Sequence, residues 1–281
     1  MKTYEKLGFL NSSFKIFHLI DTQMREYDYH YHDFNKLIIF LSGNVSYAVE
    51  GKNYKLKPYD LVLVKSGEIH KPQVLDESAY ERIIIYISPE FMAAYSGENY
   101  DLGCCFKQAS IQHTHVLRIP SFEKSKLYRT IKDLETSFQE NAYAGELFQQ
   151  LLFLEIMVHL NRAVLSEHIQ YIDTKSYNEK ILQTLDYISE HLAEEISVES
   201  LAASFYINKY YLMHLFKEET GYTIANYITN KRLLLARELM EKQTSITEVC
   251  YACGFKNYSS FSRAYKKCFQ NTPRSYLNEN L

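Results

Sequence analysis

Short apolar runs separated by turn residues characterise roughly the first 119 residues of the chain. The turns contain Gly, Asn or Pro, as in Ser42-Gly43-Asn44, and the runs between them are rich in β-branched and aromatic residues. The sequence YERIIIYISPEFM contributes a further apolar strand that ends at Pro89. Such runs, at intervals of about ten residues and with no helical segment between them, predict a β-sandwich or a β-barrel.

The spacing of the apolar positions becomes helical after residue 121. A first stripe consists of Leu127, Ile131, Leu134 and Phe138. After a short break near 141–145, the segment ELFQQLLFLEIMVHLNRAVL predicts a second helix that is apolar on more than one face. Packing in the core of the chain and packing against a second subunit both satisfy this pattern, and we favour the subunit interface. The two apolar sets are Leu147, Leu151, Leu154, Val158 and Leu165, and Leu152, Phe153, Ile156 and Met157.

A polar, turn-prone segment near residues 166–177 separates these helices from the C-terminal region, and we place a domain boundary there. Apolar residues then recur at helical spacing in the stretch ILQTLDYISEHL. Ser197 is a suitable N-cap for the very short helix that comes next. After a tight turn, a second helix is expected to follow the N-cap Asn208 and to stop at Gly221. This arrangement predicts a helix-turn-helix.

The helix-turn-helix pattern occurs twice. The sequence NKYYLMHLFKEETGYTIANYI, from Asn208, corresponds to NYSSFSRAYKKCFQNTPRSYL, from Asn257, at a spacing of 49 residues. A long helix, from about Ile224 to Glu241, is expected to join the two copies. In the second copy Gly254 supplies the turn, and the helix after it is expected from about Tyr258 to Phe269. An internal repeat of this length indicates one supersecondary unit that is used twice.

Charge is distributed unevenly along an otherwise ordinary globular chain. The 281 residues carry a net charge of −3, yet residues 207–277 contain 11 Lys and Arg against 5 Glu. A cationic module on an acidic body suggests that the module binds a polyanion. The chain has no apolar run near the roughly 20 residues that span a bilayer, and its N-terminus lacks the pattern of a signal peptide. We therefore expect a cytoplasmic protein that does not associate with a membrane.

The five Cys do not form the pattern of a secreted disulfide framework, because their number is odd and two of them are adjacent. Cys250 and Cys253 have the spacing of half a zinc or redox motif, but no second pair follows. We expect both to be small residues of a hydrophobic core.

The repeat and the helices around it resemble the AraC/XylS family of bacterial transcription regulators. The resemblance is carried by SLAASFYINKYYLMHLFKEETG, NKRLLLAREL and SITEVCYACGFKNYSSFSRAYKKCFQNTPRSYL, which span the C-terminal hundred residues. It implies two helix-turn-helix modules joined by one rigid helix, with recognition helices that enter two major-groove segments about one helical turn apart. Gln270 departs from the family pattern, in which Gly usually ends the second recognition helix, so a left-handed residue there would be mildly strained.

The N-terminal strands then resemble the cupin barrel that serves these regulators as a sensory domain. We expect an α+β fold: a cupin-like, jelly-roll β-barrel, a helical linker and dimerisation segment, and an all-α domain of two helix-turn-helix motifs joined by a long helix. The corresponding domains are 1–120, 121–177 and 178–281.

Recognition helices contact base edges through exposed polar and aromatic residues near their N-terminal turns, while flanking basic residues contact phosphates. Arg263 is the strongest candidate for a base contact, since its guanidinium can bind guanine O6 and N7. In the first copy His214 stands where relatives commonly carry Arg. Two alternatives stay open for that helix: it contacts base edges, or it contacts mainly phosphates and follows the shape of the groove. The DNA-binding candidates are Lys209, Tyr210, Met213, His214 and Lys217 in the first copy, and Tyr258, Ser259, Ser262, Arg263, Lys266 and Lys267 in the second.

A second candidate site lies in the barrel. The even-numbered residues from 30 to 40 share one parity, so one strand would present them on one interior face. In metal-binding cupins two His, a Glu and a later His hold the ion. Here Lys36 stands at the Glu position, and an ammonium opposes a divalent cation, so we expect no metal and no cofactor. A small anionic or polyhydroxy effector would suit the site, and a hydrogen-bonded structural cluster is the alternative. The candidate effector residues are His30, His32, Lys36 and His70.

The sequence thus predicts a sequence-specific DNA-binding transcription regulator that responds to an effector, and it favours an activator over a repressor. The expected partners are double-stranded DNA, a second copy bound through the helices of 121–166, the effector and, for an activator, RNA polymerase. One alternative is a regulator without a ligand, controlled by a protein partner. A cupin enzyme fused to DNA-binding helices is less favoured, because no nucleophile and base occur together.

Overall fold

The computed structural model describes residues 10, 12–140, 142–166, 169–174, 177–240 and 245–280. Contacts within the chain divide it into two units. Among the described residues, the strand unit contains 10, 12–28 and 34–174, and the helical unit contains 29–33 and 177–280. The helical unit therefore includes a segment from the N-terminal part of the sequence.

The described residues of the strand unit form two antiparallel sheets. One has the order β1-β7-β2-β5-β8-β9 and the other has the order β4-β3-β6. Two antiparallel sheets followed by a helical C-terminal region confirm the predicted α+β fold class. The strands are β1 (Phe14–Asp21), β2 (Asn35–Ser42), β3 (Val45–Val49), β4 (Lys52–Lys55), β5 (Leu61–Val64), β6 (His70–Val74), β7 (Tyr80–Ile87), β8 (Val116–Arg118) and β9 (Gln170–Tyr171).

Strand β2 lies inside the larger sheet and is buried on both faces because its side chains alternate between two cores. Leu37 and Ile39 belong to a hydrophobic cluster that also contains residues of the packed helices. Ile38 and Phe40 belong to a second cluster, shared with the smaller sheet. The predicted parity is therefore confirmed for these residues of β2.

Among the described residues, four α-helices and a short 3-10 helix (Phe122–Lys124) accompany the sheets. The α-helices are α1 (Pro89–Ala94), α2 (Cys104–Ile111), α3 (Lys126–Ser137) and α4 (Gly145–Val164). The expectation of strands without intervening helices is wrong at α1 and α2. The Ser88 side chain caps α1 by accepting a hydrogen bond from the Phe91 backbone N–H, so Pro89 both ends β7 and starts a helix. Strand β9 lies within the boundary segment near 166–177 and pairs with β8, so residues 169–174 belong to the strand unit.

Helix α4 divides its apolar residues between the core and the surface. Leu152, Phe153, Ile156 and Met157 are buried in the cluster that contains Leu37 and Ile39. Four residues of the second set are exposed: Leu147 (58%), Leu151 (55%), Val158 (38%) and Leu165 (66%) retain the given fraction of their accessible surface. The fifth, Leu154, is part-buried and packs against the core. The two sets that the sequence distinguishes thus have different environments.

The helical unit contains α5 (Glu179–Glu190), α6 (Val198–Ser204), α7 (Lys209–Thr220), α8 (Ile224–Met240), α9 (Ile246–Ala252), α10 (Tyr258–Phe269) and α11 (Pro273–Asn280). The predicted bounds of the two helix-turn-helix motifs are confirmed, with Asn208 as the N-cap of α7 and Gly221 as its left-handed C-cap. The predicted end of the long helix at Glu241 lies outside the described residues.

A single hydrophobic cluster holds the second motif against the far end of α8. Val249 and Phe261 pack in it together with Leu233 of α8. Cys250 and Cys253 are fully buried in the same cluster, which confirms them as core residues. Burial raises the pKa of the Cys253 thiol to about 12. None of the described helices is both long enough and apolar enough to cross a bilayer.

Candidate nucleic-acid interface

Helix α7 has one buried side and one exposed side. The side chain of Asn208 accepts hydrogen bonds from the backbone N–H groups of Tyr210 and Tyr211, which fixes the first turn. Leu212 and Phe216 are fully buried. The sequence candidates Tyr210, Met213, His214 and Lys217 all lie on the exposed side.

Helix α10 repeats this arrangement with a more cationic exposed side. Asn257 caps it by accepting from the backbone N–H of Ser260, and Phe261 and Tyr265 are fully buried. Ser262 is half-buried, and the Nε–H of Arg263 donates to the Ser259 carbonyl oxygen at 3.2 Å. The exposed candidates are Tyr258, Ser259, Arg263, Lys266 and Lys267.

Two lysines form ion pairs within the helical unit: the candidate Lys209, and Lys256 in the turn before α10. Lys209 Nζ lies 3.1 Å from a Glu199 carboxylate oxygen, and Lys256 Nζ lies 2.6 Å from one of Glu195. Lys209 retains 40% of its side-chain surface and the other three side chains retain 68–75%, so these solvent-accessible pairs contribute little to stability. Both lysines can therefore exchange a carboxylate for a phosphate at low cost.

The turns of the two motifs differ by one residue. Four residues separate α6 from α7, whereas five separate α9 from α10. The first helices of the two motifs therefore correspond at a spacing of 48 residues, as the caps Ser197 and Ser245 show, and not at 49. Each turn contains a left-handed residue, Tyr206 in the first and Gly254 in the second.

Sequence reasoning missed two exposed tyrosines beside the first recognition helix. Tyr206 retains 96% of its accessible surface and Tyr211 retains 55%. Their positions in the turn and in the first helical turn of α7 would have identified both. Gln270, the C-cap of α10, adopts the left-handed conformation with φ 64°. A residue other than glycine is mildly strained in that conformation, as the sequence predicts.

The strand unit contains a buried cation beside an imidazole. Lys36 on β2 is buried, and its Nζ lies 3.5 Å from Nε2 of His70, on β6. Nδ1 of His70 lies 3.0 Å from the Glu68 carbonyl oxygen, which can only accept, so Nδ1 carries a proton. In a neutral His70, Nε2 then accepts a hydrogen bond from Lys36.

The described residues give Lys36 no carboxylate partner; its other contact is the ring of Tyr86, with the centroid 5.9 Å from Nζ. Burial, and then the charge of Arg82, lower the pKa of Lys36 to about 7. The site therefore holds an amine that is close to its titration point at neutral pH.

The other two candidate effector residues, His30 and His32, are not part of β2. They lie in segment 29–33 of the helical unit, with their rings edge to face and the centroids 5.0 Å apart. Both residues precede Asn35, where β2 begins, so the alternation of β2 does not extend to them.

Two helix-turn-helix motifs joined by one helix, in a chain that also carries a two-sheet unit, define a DNA-binding transcription regulator. A family model described as a helix-turn-helix domain matches residues 201–279, and one described as an AraC-like ligand binding domain matches residues 16–152. The chain belongs to the AraC/XylS family of transcription regulators.

Two named relatives match most of the chain at low identity. The chain is 26% identical over 246 residues to the HTH-type transcriptional activator RhaS of Enterobacter sp. (strain 638), covering 87% of this chain and 85% of that protein. RhaS of Escherichia coli (strain SMS-3-5 / SECEC) is 22% identical over the same length and the same shares of the two chains.

Among solved structures, one of ToxT from Vibrio cholerae matches with 16% identity and a TM-score of 0.39. The match covers 95% of this chain and 98% of the ToxT chain. A protein of unknown function from Listeria innocua is 31% identical, over 35% of this chain and 95% of that one, with a TM-score of 0.34.

Proposed function

We propose that α7 and α10 bind two successive major-groove segments and that α10 makes the stronger base contacts. The observation that carries this proposal is the division of each helix into a buried side and an exposed side of polar, aromatic and basic residues. Arg263 and His214 occupy corresponding positions of the two helices. Because a guanidinium forms two hydrogen bonds with guanine and an imidazole cannot, Arg263 is the better base reader of the two.

Arg263→Ala is expected to weaken binding by about 1–3 kcal/mol and to relax the preference at one base pair. The probe is a duplex selected from a randomised pool by the wild-type protein, together with duplexes that carry single base changes. Lys266→Ala is the matched control, because loss of a phosphate contact weakens binding to every duplex about equally and lowers the salt dependence. An equal loss on every duplex for Arg263→Ala would contradict base reading.

The strand unit is proposed to hold a small effector that carries an anionic group. Burying a cation without a counter-charge is unfavourable, and a carboxylate or phosphate beside Lys36 would remove that penalty. Such a ligand would bind one conformation of the protein better than another and so shift the population that binds DNA. His30 and His32 stay candidates from the sequence alone. We propose no metal and no catalytic role for this unit.

Activation is the proposed outcome of DNA binding, since the relatives named above are transcriptional activators. An activator of this kind would contact RNA polymerase in the cytoplasm. A regulator without a ligand is the alternative, and the buried Lys36 favours an effector over it.

We also propose that two copies associate through the exposed stripe of α4. Leu147, Leu151, Leu154, Val158 and Leu165 recur at intervals of four, three, four and seven residues. That spacing is the a and d pattern of a coiled coil, and a second copy supplies the same stripe with the same length. Four of the five residues retain 38–66% of their accessible surface, and Leu154 is part-buried against the core.

Leu151→Glu is expected to convert a dimer to a monomer, because two copies of a buried carboxylate would face each other across the seam. The measurement is sedimentation velocity over a range of concentrations. Ile111→Glu is the matched control: Ile111 is also an exposed aliphatic residue of the strand unit, at 62%, but lies at the end of α2. A wild-type protein that stays monomeric, or two variants that behave alike, would contradict the α4 interface.

A further inference from the structure

Segment 29–33, here called the strap, comes between β1 and β2 in the sequence but folds with the DNA-binding helices. It lies about 150 residues before α5 in the chain, so no local sequence pattern connects the two. Tyr31 is buried, and Tyr29 and Asp33 are half-buried. Three side chains of the strap make specific contacts with the helical unit.

The strap packs closely against the end of the first motif. Gly221, the C-cap of α7, has φ 76°, and a Cβ built on it would lie 2.6 Å from the Cβ of Tyr29. Glycine is therefore required there for two reasons, the left-handed backbone and the approach of the strap. The ring of Tyr31 lies next to that of Tyr222, with the centroids 6.2 Å apart.

The same strap also contacts the second motif and the connecting helix. The hydroxyl oxygen of Tyr31 lies 3.3 Å from Sγ of Cys268, in the last turn of α10. Asp33 accepts a hydrogen bond from Nη1 of Arg237, on α8, at 2.9 Å. The Arg237 guanidinium also lies over the ring of Phe269, 5.0 Å from its centroid. Tyr31 thus contacts Tyr222, just after α7, and Cys268 of α10. Asp33 anchors the strap to α8, between them.

We propose that Tyr31 and Asp33 are positioning residues for DNA binding, because the strap fixes the orientation of the first motif relative to the second. Two linked readers bind a two-segment site more tightly than either reader alone only if their geometry lets both engage at once. Helix α8 joins the motifs covalently, and the strap adds a side-chain contact to the end of each recognition helix. This inference rests on the proposal that α7 and α10 bind two DNA segments.

The test compares a two-segment duplex with one-segment duplexes, using the full-length protein. The two-segment duplex is selected from a randomised pool by the wild-type protein, and each one-segment duplex has one protected segment scrambled. Asp33→Asn and Tyr31→Phe are expected to reduce the affinity advantage of the two-segment duplex by about tenfold, which is the effect of one lost charge-assisted or buried hydrogen bond. Affinity for the one-segment duplexes should stay within about twofold of wild type.

Three controls separate positioning from a general loss of structure. Asp33→Glu keeps the carboxylate and should restore most of the advantage. Glu26→Gln, at an exposed acid before the strap, and Tyr143→Phe, at a fully exposed tyrosine, should leave the advantage unchanged. An equal loss on one-segment and two-segment duplexes, or no loss in either strap variant, would overturn the proposal. A wild-type protein with no two-segment advantage would instead refute the two-reader function on which the inference rests.

Discussion

Lys36→Met is expected to raise the free energy of unfolding of the strand unit by about 2–4 kcal/mol near pH 7. Lys36 is buried, and the described residues offer it an imidazole and an aromatic ring but no carboxylate. Burial first, and then the nearby Arg82, lower the pKa of Lys36 from 10.5 to about 7. Methionine has a similar shape and carries no charge, so the cost of burying the ammonium disappears.

The pH dependence of this gain has a definite sign. The unfolded chain keeps the Lys36 proton up to about pH 10.5, whereas the folded chain releases it near pH 7. The unfolded state therefore binds more protons within that window, and wild-type stability rises with pH there. Denaturant unfolding should show the advantage of Lys36→Met shrinking by about 2 kcal/mol between pH 7 and pH 9.

Lys65→Met is the matched control, because Lys65 is exposed in the same unit and should change stability by less than about 0.5 kcal/mol. An advantage of Lys36→Met that is equal at both pH values would contradict the buried charge.

The same variant also tests whether Lys36 binds the effector. Uronic acids and sugar phosphates, compared with neutral sugars, should raise the Tm of the wild type but not that of Lys36→Met. An equal rise in both proteins would exclude Lys36 from the binding site.

Gly254→Ala is expected to destabilise the helical unit by about 3 kcal/mol or more. Gly254 has φ 86°, and a Cβ on it would lie 2.4 Å from the Leu192 carbonyl oxygen and 2.9 Å from Nε of Arg232. These two atoms are joined by a 2.8 Å hydrogen bond. The added methyl would therefore push α8 away from the segment that follows α5, in addition to straining the turn. Thermal unfolding and DNA affinity both measure the effect.

Tyr206→Gly provides the opposite case at the left-handed position of the first turn. Tyr206 has φ 54°, and its side chain is almost fully exposed, so glycine relieves strain without removing packing. We expect the free energy of unfolding to rise by no more than about 1 kcal/mol, after the entropy cost of glycine is included.

A Gly254→Ala protein as stable as the wild type would contradict the first of these two predictions, because it would show that the second turn can relax around a side chain.

The C-terminal helices could be predicted closely because their ends are specified locally. Asn208 and Asn257 bond to backbone N–H groups of the turn that follows each of them, and Gly221 is the residue type that a left-handed C-cap favours. The difference between the two turns was missed because the comparison at 49 residues used only the second helix of each motif. The N-caps Ser197 and Ser245, which lie 48 residues apart, show the one-residue difference in the sequence itself.

The strand unit was harder to predict where tertiary contacts determine the structure. No side chain caps the N-terminus of α2, so the sequence gives little sign of it. Strand β9 has two residues, and its pairing with β8 defines it more than its own sequence does. Lys36 could be placed in the interior because β2 alternates regularly. His30 and His32 could not be placed in the same way, since they precede the strand.

The DNA-binding helices do not form their compact unit alone, because residues 29–33 belong to the same unit. A hybrid made by one cut retains only the residues from that cut to the C-terminus. A hybrid that joins residues 177–281 to a foreign sensor would lack residues 29–33 and leave the surface around Gly221, Arg237 and Cys268 uncovered. Hybrids of this chain should therefore graft that five-residue segment as well, or keep the native connection between β1 and β2.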